Sequence, residues 1–234
     1  MKNILKEKPS LNSLNSRMQY TLKYIQDKDV RDKTVLDIGC GFGWIELDLL
    51  KRGVKKVIGL EIAEEDLSAA RENISHKKAQ FMIGSGIHIP LKDNAVDTVV
   101  CFEVIEHIPK NTEYLLFSEV GRVLKKGGTF YLSTPFNYSV SKFLDPAWWL
   151  IGHRHYSEES LITFGRDNGF KSSSISVKGK LWSVISLLHM YSMKWIFRTK
   201  ASPVSNFIEK KEIEEYKSNV GYVNIFIKYV LVKK

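Results

Sequence analysis

Three glycines at alternate positions, Gly39, Gly41 and Gly43, follow directly on the apolar run around Asp37 in the stretch VLDIGCGFGW. Glycine has no Cβ, so a turn built from it lets backbone press against a ligand, and the helix expected after it offers unpaired N–H groups. The turn is therefore expected to bind a small molecule. A dinucleotide fingerprint would need glycine at position 44, where the chain has Trp44, so a nicotinamide-dependent oxidoreductase is disfavoured. Asp37 would repel a diphosphate but attract an amino acid's ammonium group. Glu61 closes the next apolar run, VIGLEI, where a carboxylate can accept both hydroxyl protons of a ribose. Further on stand Glu103, Glu106 and His107, spaced E-x-x-E-H, and then His153 and His155. An imidazole titrating near neutrality is a serviceable proton acceptor.

Apolar periodicity supplies the frame for these groups. Leu14, Met18, Leu22 and Ile25 have the spacing of one helical face. Strands are expected at 35–38, 56–61, 80–83, 97–102, 129–134, 173–177 and 223–231. Helices are expected from 45 to Arg52, closed by Gly53, around Leu67, Ala70 and Ile74, over 113–125, and from Ser157 through Phe164 to Gly169. Strand and helix alternate with short connections, which implies a mostly parallel sheet with helices on both faces and ligands beyond the carboxyl ends of its strands. The glycine turn, Glu61, Gly84-Ser85-Gly86 and Glu103 to His107 all fall at such ends. In 136–156 periodicity disappears and aromatics accumulate, which reads as a lid or substrate wall.

With 234 residues and 44% hydrophobic content the chain can bury one full core. Cys40 and Cys101 lack metal-ligand spacing, and no leader of basic start, apolar run and cleavage site is seen, so a cytoplasmic protein is expected. The formal net charge of +9 is spread over lysine pairs such as Lys55–Lys56, Lys125–Lys126 and Lys210–Lys211. Pairs at helix ends complement the dipole, so solvated surface is favoured over a polyanion site.

VLDIGCGFG followed by Glu61, then 84–108, then RVLKKGGTFYLSTP resembles, in order, the motifs of class I S-adenosylmethionine (SAM)-dependent methyltransferases, with the type 11 ubiquinone and menaquinone biosynthesis branch nearest. The resemblance covers roughly 35–135. It implies an α/β, Rossmann-like seven-stranded sheet, mostly parallel, with helices on both faces, an antiparallel last strand and a lid or insertion. On that pattern the chain is one domain: a helical cap over 1–34, whose Arg17 or Tyr20 would reach the cofactor, a SAM-binding core over 35–135, a lid over 136–156, and a C-terminal half over 157–234 with an insertion at 178–220. The cofactor set it implies is Asp37, Gly39, Cys40, Gly41, Gly43, Trp44, Glu61, Ile62, Gly84, Ser85, Gly86, Phe102 and Glu103. Ser85 stands where the family commonly has an acid for the adenine amino group. His107 is the first candidate base, with His153 and His155 next. E-x-x-E-H with a lid histidine resembles divalent-metal ligands in some relatives, yet many relatives with the pattern use none, and no metal is assigned.

The insertion holds LWSVISLLHMYSMKWIF at 181–197, too short to cross a bilayer and carrying His189 and Lys194. It reads as a helix over the substrate pocket, an interfacial helix on anionic lipid with peripheral membrane localisation, or a homodimer surface. The residues after the fourth strand lack the Asn/Asp-Pro-Pro-aromatic pattern of nucleobase amine methylation, so nucleic acid is disfavoured as acceptor. The expected function is methyl transfer to an oxygen or activated carbon of a small, partly apolar or lipid-like molecule. The alternative is a non-catalytic SAM-binding or membrane-surface adaptor.

Overall fold

A computed structural model describes residues 10–12, 14–198 and 202–232. The lysine-rich start, Lys200 and the Lys233–Lys234 pair lie outside the described residues. The chain forms α1 (Ser16–Tyr24), β1 (Thr34–Ile38), α2 (Trp44–Lys51), β2 (Lys56–Glu61), α3 (Glu64–Asn73), β3 (Ala79–Ile83), β4 (Val96–Phe102), α4 (Glu113–Val123) and β5 (Leu124–Pro135). There follow α5 (Ser139–Phe143), α6 (Pro146–Ile151), α7 (Glu158–Asp167), β6 (Phe170–Lys178), α8 (Leu181–Tyr191), a π-helical turn Ser192–Phe197, α9 (Ser205–Lys217) and β7 (Asn224–Leu231).

One seven-stranded sheet runs in the order β3-β2-β1-β4-β5-β7-β6. Strands β1 to β5 are parallel, and β7 is antiparallel to both β5 and β6. Strand order reverses beside β1, which pairs with β2 on one side and β4 on the other, and a crevice opens at such a switch point. Alternation of side chains sorts the core. Leu36 and Ile38 of β1 join the cluster under α4 with Phe117, Phe130 and Leu132, while Val35 joins Ile45, Leu49, Val57 and Val100 on the opposite face. Two antiparallel pairings return β6 to the direction of β5, so Lys178 ends at the same edge as Pro135, opposite Asn224. The segments after β5 and after β6 therefore both rise from the edge that carries the glycine turn.

The structure moves one expected boundary and adds detail at three places. The helix read over 113–125 stops at Val123, and β5 begins at Leu124, five residues before the expected strand. Gly128 lets the strand pass close to its neighbours, since a Cβ there would lie 2.9 Å from Asp97 O. The 136–156 segment, aperiodic in its sequence, holds α5 and α6, and Asp145 caps α6 by accepting from Ala147 N at 2.9 Å, with Pro146 at its first position. A second helix, α9, sits in the insertion and pairs with α8, where Glu215 accepts from the backbone N–H groups of Lys180, Trp182 and Ser183. Of the apolar face expected on the first helix, Leu14 and Ile25 are buried, flanking α1, while Met18 and Leu22 are half-buried, Leu22 packing on the second core cluster. Tyr20 and Tyr24 add to these contacts, packing their rings on Phe226 at 4.8 and 5.7 Å.

Candidate cofactor and acceptor site

The glycine turn is a sequence of left-handed residues, with φ of +78° at Gly39, +53° at Gly41 and +96° at Gly43. Each is needed for a different reason. A Cβ on Gly39 would stand 2.3 Å from Val104 Cγ2, and one on Gly43 would stand 2.5 Å from Ile74 Cδ1, while Gly41 faces open space. Gly41 N donates to Glu61 Oε2 at 3.0 Å, and Glu61 Oε1 accepts from Ile62 N and Ala63 N at 2.8 and 3.2 Å. One carboxylate thus ties the turn to the start of α3. Ile62, just after β2, and Ile83, which pairs with Glu61 at the end of β3, are both exposed. Ser85 closes its own turn, its carbonyl accepting from His88 N at 3.0 Å. Gly86 packs on β1, where a Cβ would meet Ile38 Cγ2 at 2.9 Å.

Beneath the turn lie Asp37, 1% exposed, and Glu46 of α2, fully buried. Among the described residues no other group hydrogen-bonds their four carboxylate oxygens, which leaves the two carboxyls to face each other. Burial drives both toward the neutral form, Glu46 to a pKa of about 8 and Asp37 well above the usual carboxylate range with Glu46 repelling it. Cys40 and Cys101 are free, buried thiols, pushed upward first by burial and then by neighbouring carboxylates. Trp44 opens α2 and packs half-buried on the second core cluster, and Phe102 is buried at the end of β4. An open glycine cradle above an orphaned carboxyl pair, with an acid at the next strand end, fits an amino-acid sulfonium nucleoside. An ammonium arriving beside Asp37 would favour its ionised form and so be held by it, and the ribose would meet Glu61.

Glu103, expected among the cofactor contacts, is held by partners of its own. It sits in the left-handed region at φ +57°, a strained place for a side chain of this kind. Its Oε2 accepts from Arg17 Nη1 at 2.5 Å, and its Oε1 accepts from Ser133 Oγ at 2.6 Å. Asn224 Nδ2 adds a bond of 3.2 Å to Oε2. Glu103 therefore knots α1, β5 and β7 to the loop after β4. Arg17 reaches the site through this knot, and Tyr20 points away, donating to Ser176 Oγ at 2.9 Å.

The three histidines come together. His107 and His153 stack with ring centroids 4.7 Å apart, and His153 and His155 meet edge to face at 6.2 Å. Asp145 organises them: its Oδ2 lies 3.0 Å from both His153 Nδ1 and His155 Nε2. Burial would raise the Asp145 pKa, but the bonds from His153 and His155 hold it well below the usual range. A proton on His153 Nδ1 leaves Nε2 as the free acceptor, 3.7 Å from Glu106 Oε1. His107 is pushed down to about 4, first by desolvation of its packed side and then by His153. Glu106 is 4% exposed, with Oε2 held by Thr134 Oγ1 at 3.0 Å and Oε1 without a partner. Burial and then Glu103 raise it well above the ordinary value. Donor atoms of Glu106, His107 and His153, and separately of Asp145, His153 and His155, lie within 4.8 Å of one another, close enough to hold a metal ion. Arg154 fixes the loop, donating to Ile105 O and Ile108 O at 2.6 and 2.5 Å.

Asp145 and His153 line a cavity of about 110 Å³, roofed by Leu187 and Tyr191 of α8 and floored by Glu212 and Asn224. Glu212 is raised to about 6 by burial. Sequence reasoning missed Asp145, Glu46, Glu212 and Asn224. Asp145 before Pro146 is a helix-start signal that could have been read, whereas the other three are recognisable only once their elements are packed.

Residues 36–132 match a family model described as a methyltransferase domain. The chain is 30% identical over 112 residues, 47% of its length, to the ubiquinone biosynthesis O-methyltransferase of Hydrogenovibrio crunogenus. It is 36% identical over 101 residues, 41% of its length, to a sterol 24-C-methyltransferase of Gibberella zeae. These matches span 45% and 26% of the two relatives, so the chain covers less than half the length of either. Among solved structures, the SAM-dependent methyltransferase of Mesorhizobium loti superposes with a TM-score of 0.66 at 14% identity, covering 94% of this chain and 100% of that one, a likeness of fold. Over residues 36–132, then, the chain is similar to methyltransferase domains, and the relatives that share this stretch are named as methyltransferases.

Proposed function

We propose that the chain transfers the methyl group of SAM to an oxygen or activated carbon of a small, partly apolar molecule seated in the cavity between the lid and α8. SAM supplies an electrophilic methyl group when bound; the residues that would hold it are the 39–43 turn, Asp37, Glu61 and the exposed Ile62 and Ile83. Alignment of donor and acceptor is the protein's main contribution and can supply about 7 to 11 kcal/mol in favourable cases. For a hydroxyl acceptor, His153 Nε2 takes the proton as the oxygen attacks, and the Asp145 carboxylate holds the ring in that tautomer and stabilises the imidazolium. His107, neutral at pH 7, packs its ring on that of His153. His155 stays on Asp145 and on Phe136 O at 3.1 Å, which makes it a support for the lid.

The observation that carries this reading is the Asp145-oriented His153 lining a cavity at the strand edge that also bears the glycine turn. The relatives' names support oxygen or carbon as the receiving atom, since they include an O-methyltransferase and a C-methyltransferase. The test is release of S-adenosylhomocysteine from SAM with a panel of phenols, hydroxy acids and isoprenoid alcohols. Acceptor-dependent release that disappears in Glu61→Ala supports the reading; SAM binding without turnover on any panel member would favour a non-catalytic binding protein.

A further inference from the structure

Two apolar surfaces flank the cavity. On the lid, Phe143 and Leu144 precede Asp145 and Trp149 and Leu150 follow it, all exposed, Trp149 to 62%. Past α8, Trp195, Ile196 and Phe197 are exposed, Ile196 to 72%. The two surfaces converge, because Asp145 and Tyr191 line the same cavity and the Tyr191 ring lies 6.4 Å from that of Trp195. Soluble surfaces scatter single apolar side chains; adjoining clusters of tryptophan, phenylalanine and isoleucine mark a contact surface. Charge identifies the partner. The sequence between Gly179 and Pro203 carries Lys180, Lys194, Arg198 and Lys200 and no acidic residue, and Arg198 is exposed directly after Phe197. On the lid the Lys142 ammonium stands 5.0 Å above the Trp148 ring. Tryptophans interleaved with cations suit the headgroup level of an anionic bilayer, where the ring is half in hydrocarbon and the charge meets lipid phosphate. Among the described residues no helix is long and apolar enough to cross a membrane, so contact would be one-sided.

We propose that the lid and the turn after α8 dock together on an anionic lipid surface, so that the cavity takes its acceptor from the bilayer. This rests on the reading of that cavity as the acceptor site. The experiment is flotation of the full chain with phosphatidylcholine vesicles with and without phosphatidylglycerol, at low and high salt, alongside tryptophan quenching by brominated lipid and calorimetric titration with SAM. The expected result is binding to anionic vesicles, at least tenfold weaker in 0.5 M salt and in Trp149→Ala/Phe197→Ala, with quenching reduced in Trp149→Phe and Trp195→Phe and SAM affinity unchanged in every variant. Absence of vesicle binding, binding indifferent to the substitutions, or a concentration-dependent dimer that shields both tryptophans from aqueous quencher would each overturn the inference. Loss of vesicle binding with SAM binding intact removes this proposal alone, whereas failure of the wild type to bind SAM removes the functional reading instead.

Discussion

Replacing Gly39 by alanine tests whether the glycine turn and the loop after β4 form one unit. The residue lies at φ +78°, where a side chain costs about 1 to 2 kcal/mol. Its new methyl would also stand 2.3 Å from Val104 Cγ2, an overpacking that costs about 1 to 3 kcal/mol because a β-branched neighbour has few rotamers to escape into. Gly39→Ala should therefore lose about 2 to 5 kcal/mol. Val104→Ala alone, at a half-buried site, should lose about 1 kcal/mol. In the double variant the steric part vanishes and the backbone part remains, so it should be more stable than the sum of the singles by at least about 1 kcal/mol. Urea unfolding of the four proteins gives these values, and calorimetry with SAM should show affinity falling tenfold or more in Gly39→Ala and recovering partly in the double variant. Strict additivity, within about 0.5 kcal/mol, would refute the claim that Val104 closes the turn.

Other perturbations have equally definite outcomes. Glu46 binds its proton more tightly folded than unfolded, with a folded pKa of about 8 against 4.5, so stability should fall as pH rises through that window and level off above it. Glu46→Gln should flatten the profile in pH-dependent unfolding and be more stable than wild type at pH 8.5, by a few kcal/mol at the outside, with little difference at pH 4.5. Asp145→Asn keeps a capping oxygen for Ala147 N but loses the charge behind His153; turnover should drop about 10²- to 10³-fold with SAM affinity within twofold, and an unchanged rate would remove His153 as the base. Arg17→Met frees Glu103 from its only ionic partner among the described residues, and hydrogen exchange should speed up in the loop after β4 as well as in α1; a response confined to α1 would contradict the knot.

The sheet was legible because its strands are short, β-branched and punctuated by glycine or acid, so β1, β2 and β4 differ from their expected bounds by a residue at most. The turn was legible for the same reason: positive φ demands glycine, and three occur together. Long-range chemistry was not. Arg17 and Glu103 are separated by 86 residues and Asn224 and Glu103 by 121, and no local pattern announces that they share one knot. The lid misled by its aromatics, whose bulk obscures the 3.6-residue period of α5 and α6, although Asp145-Pro146 was a start signal in plain view. His107 was placed by its position after the fourth strand and His153 and His155 by the lid segment; that they meet, and the carboxylate that orients two of them, was not legible.

The central claim, that the 39–43 turn, Asp37 and Glu61 hold a sulfonium nucleoside, is tested most directly by calorimetric titration of the wild-type chain and of Glu61→Ala with SAM, and with NAD as the competing ligand. Wild type should bind SAM at one site, the variant at least tenfold more weakly, and NAD not at all. Heat from NAD with none from SAM, or equal SAM affinity in the two proteins, would contradict the account.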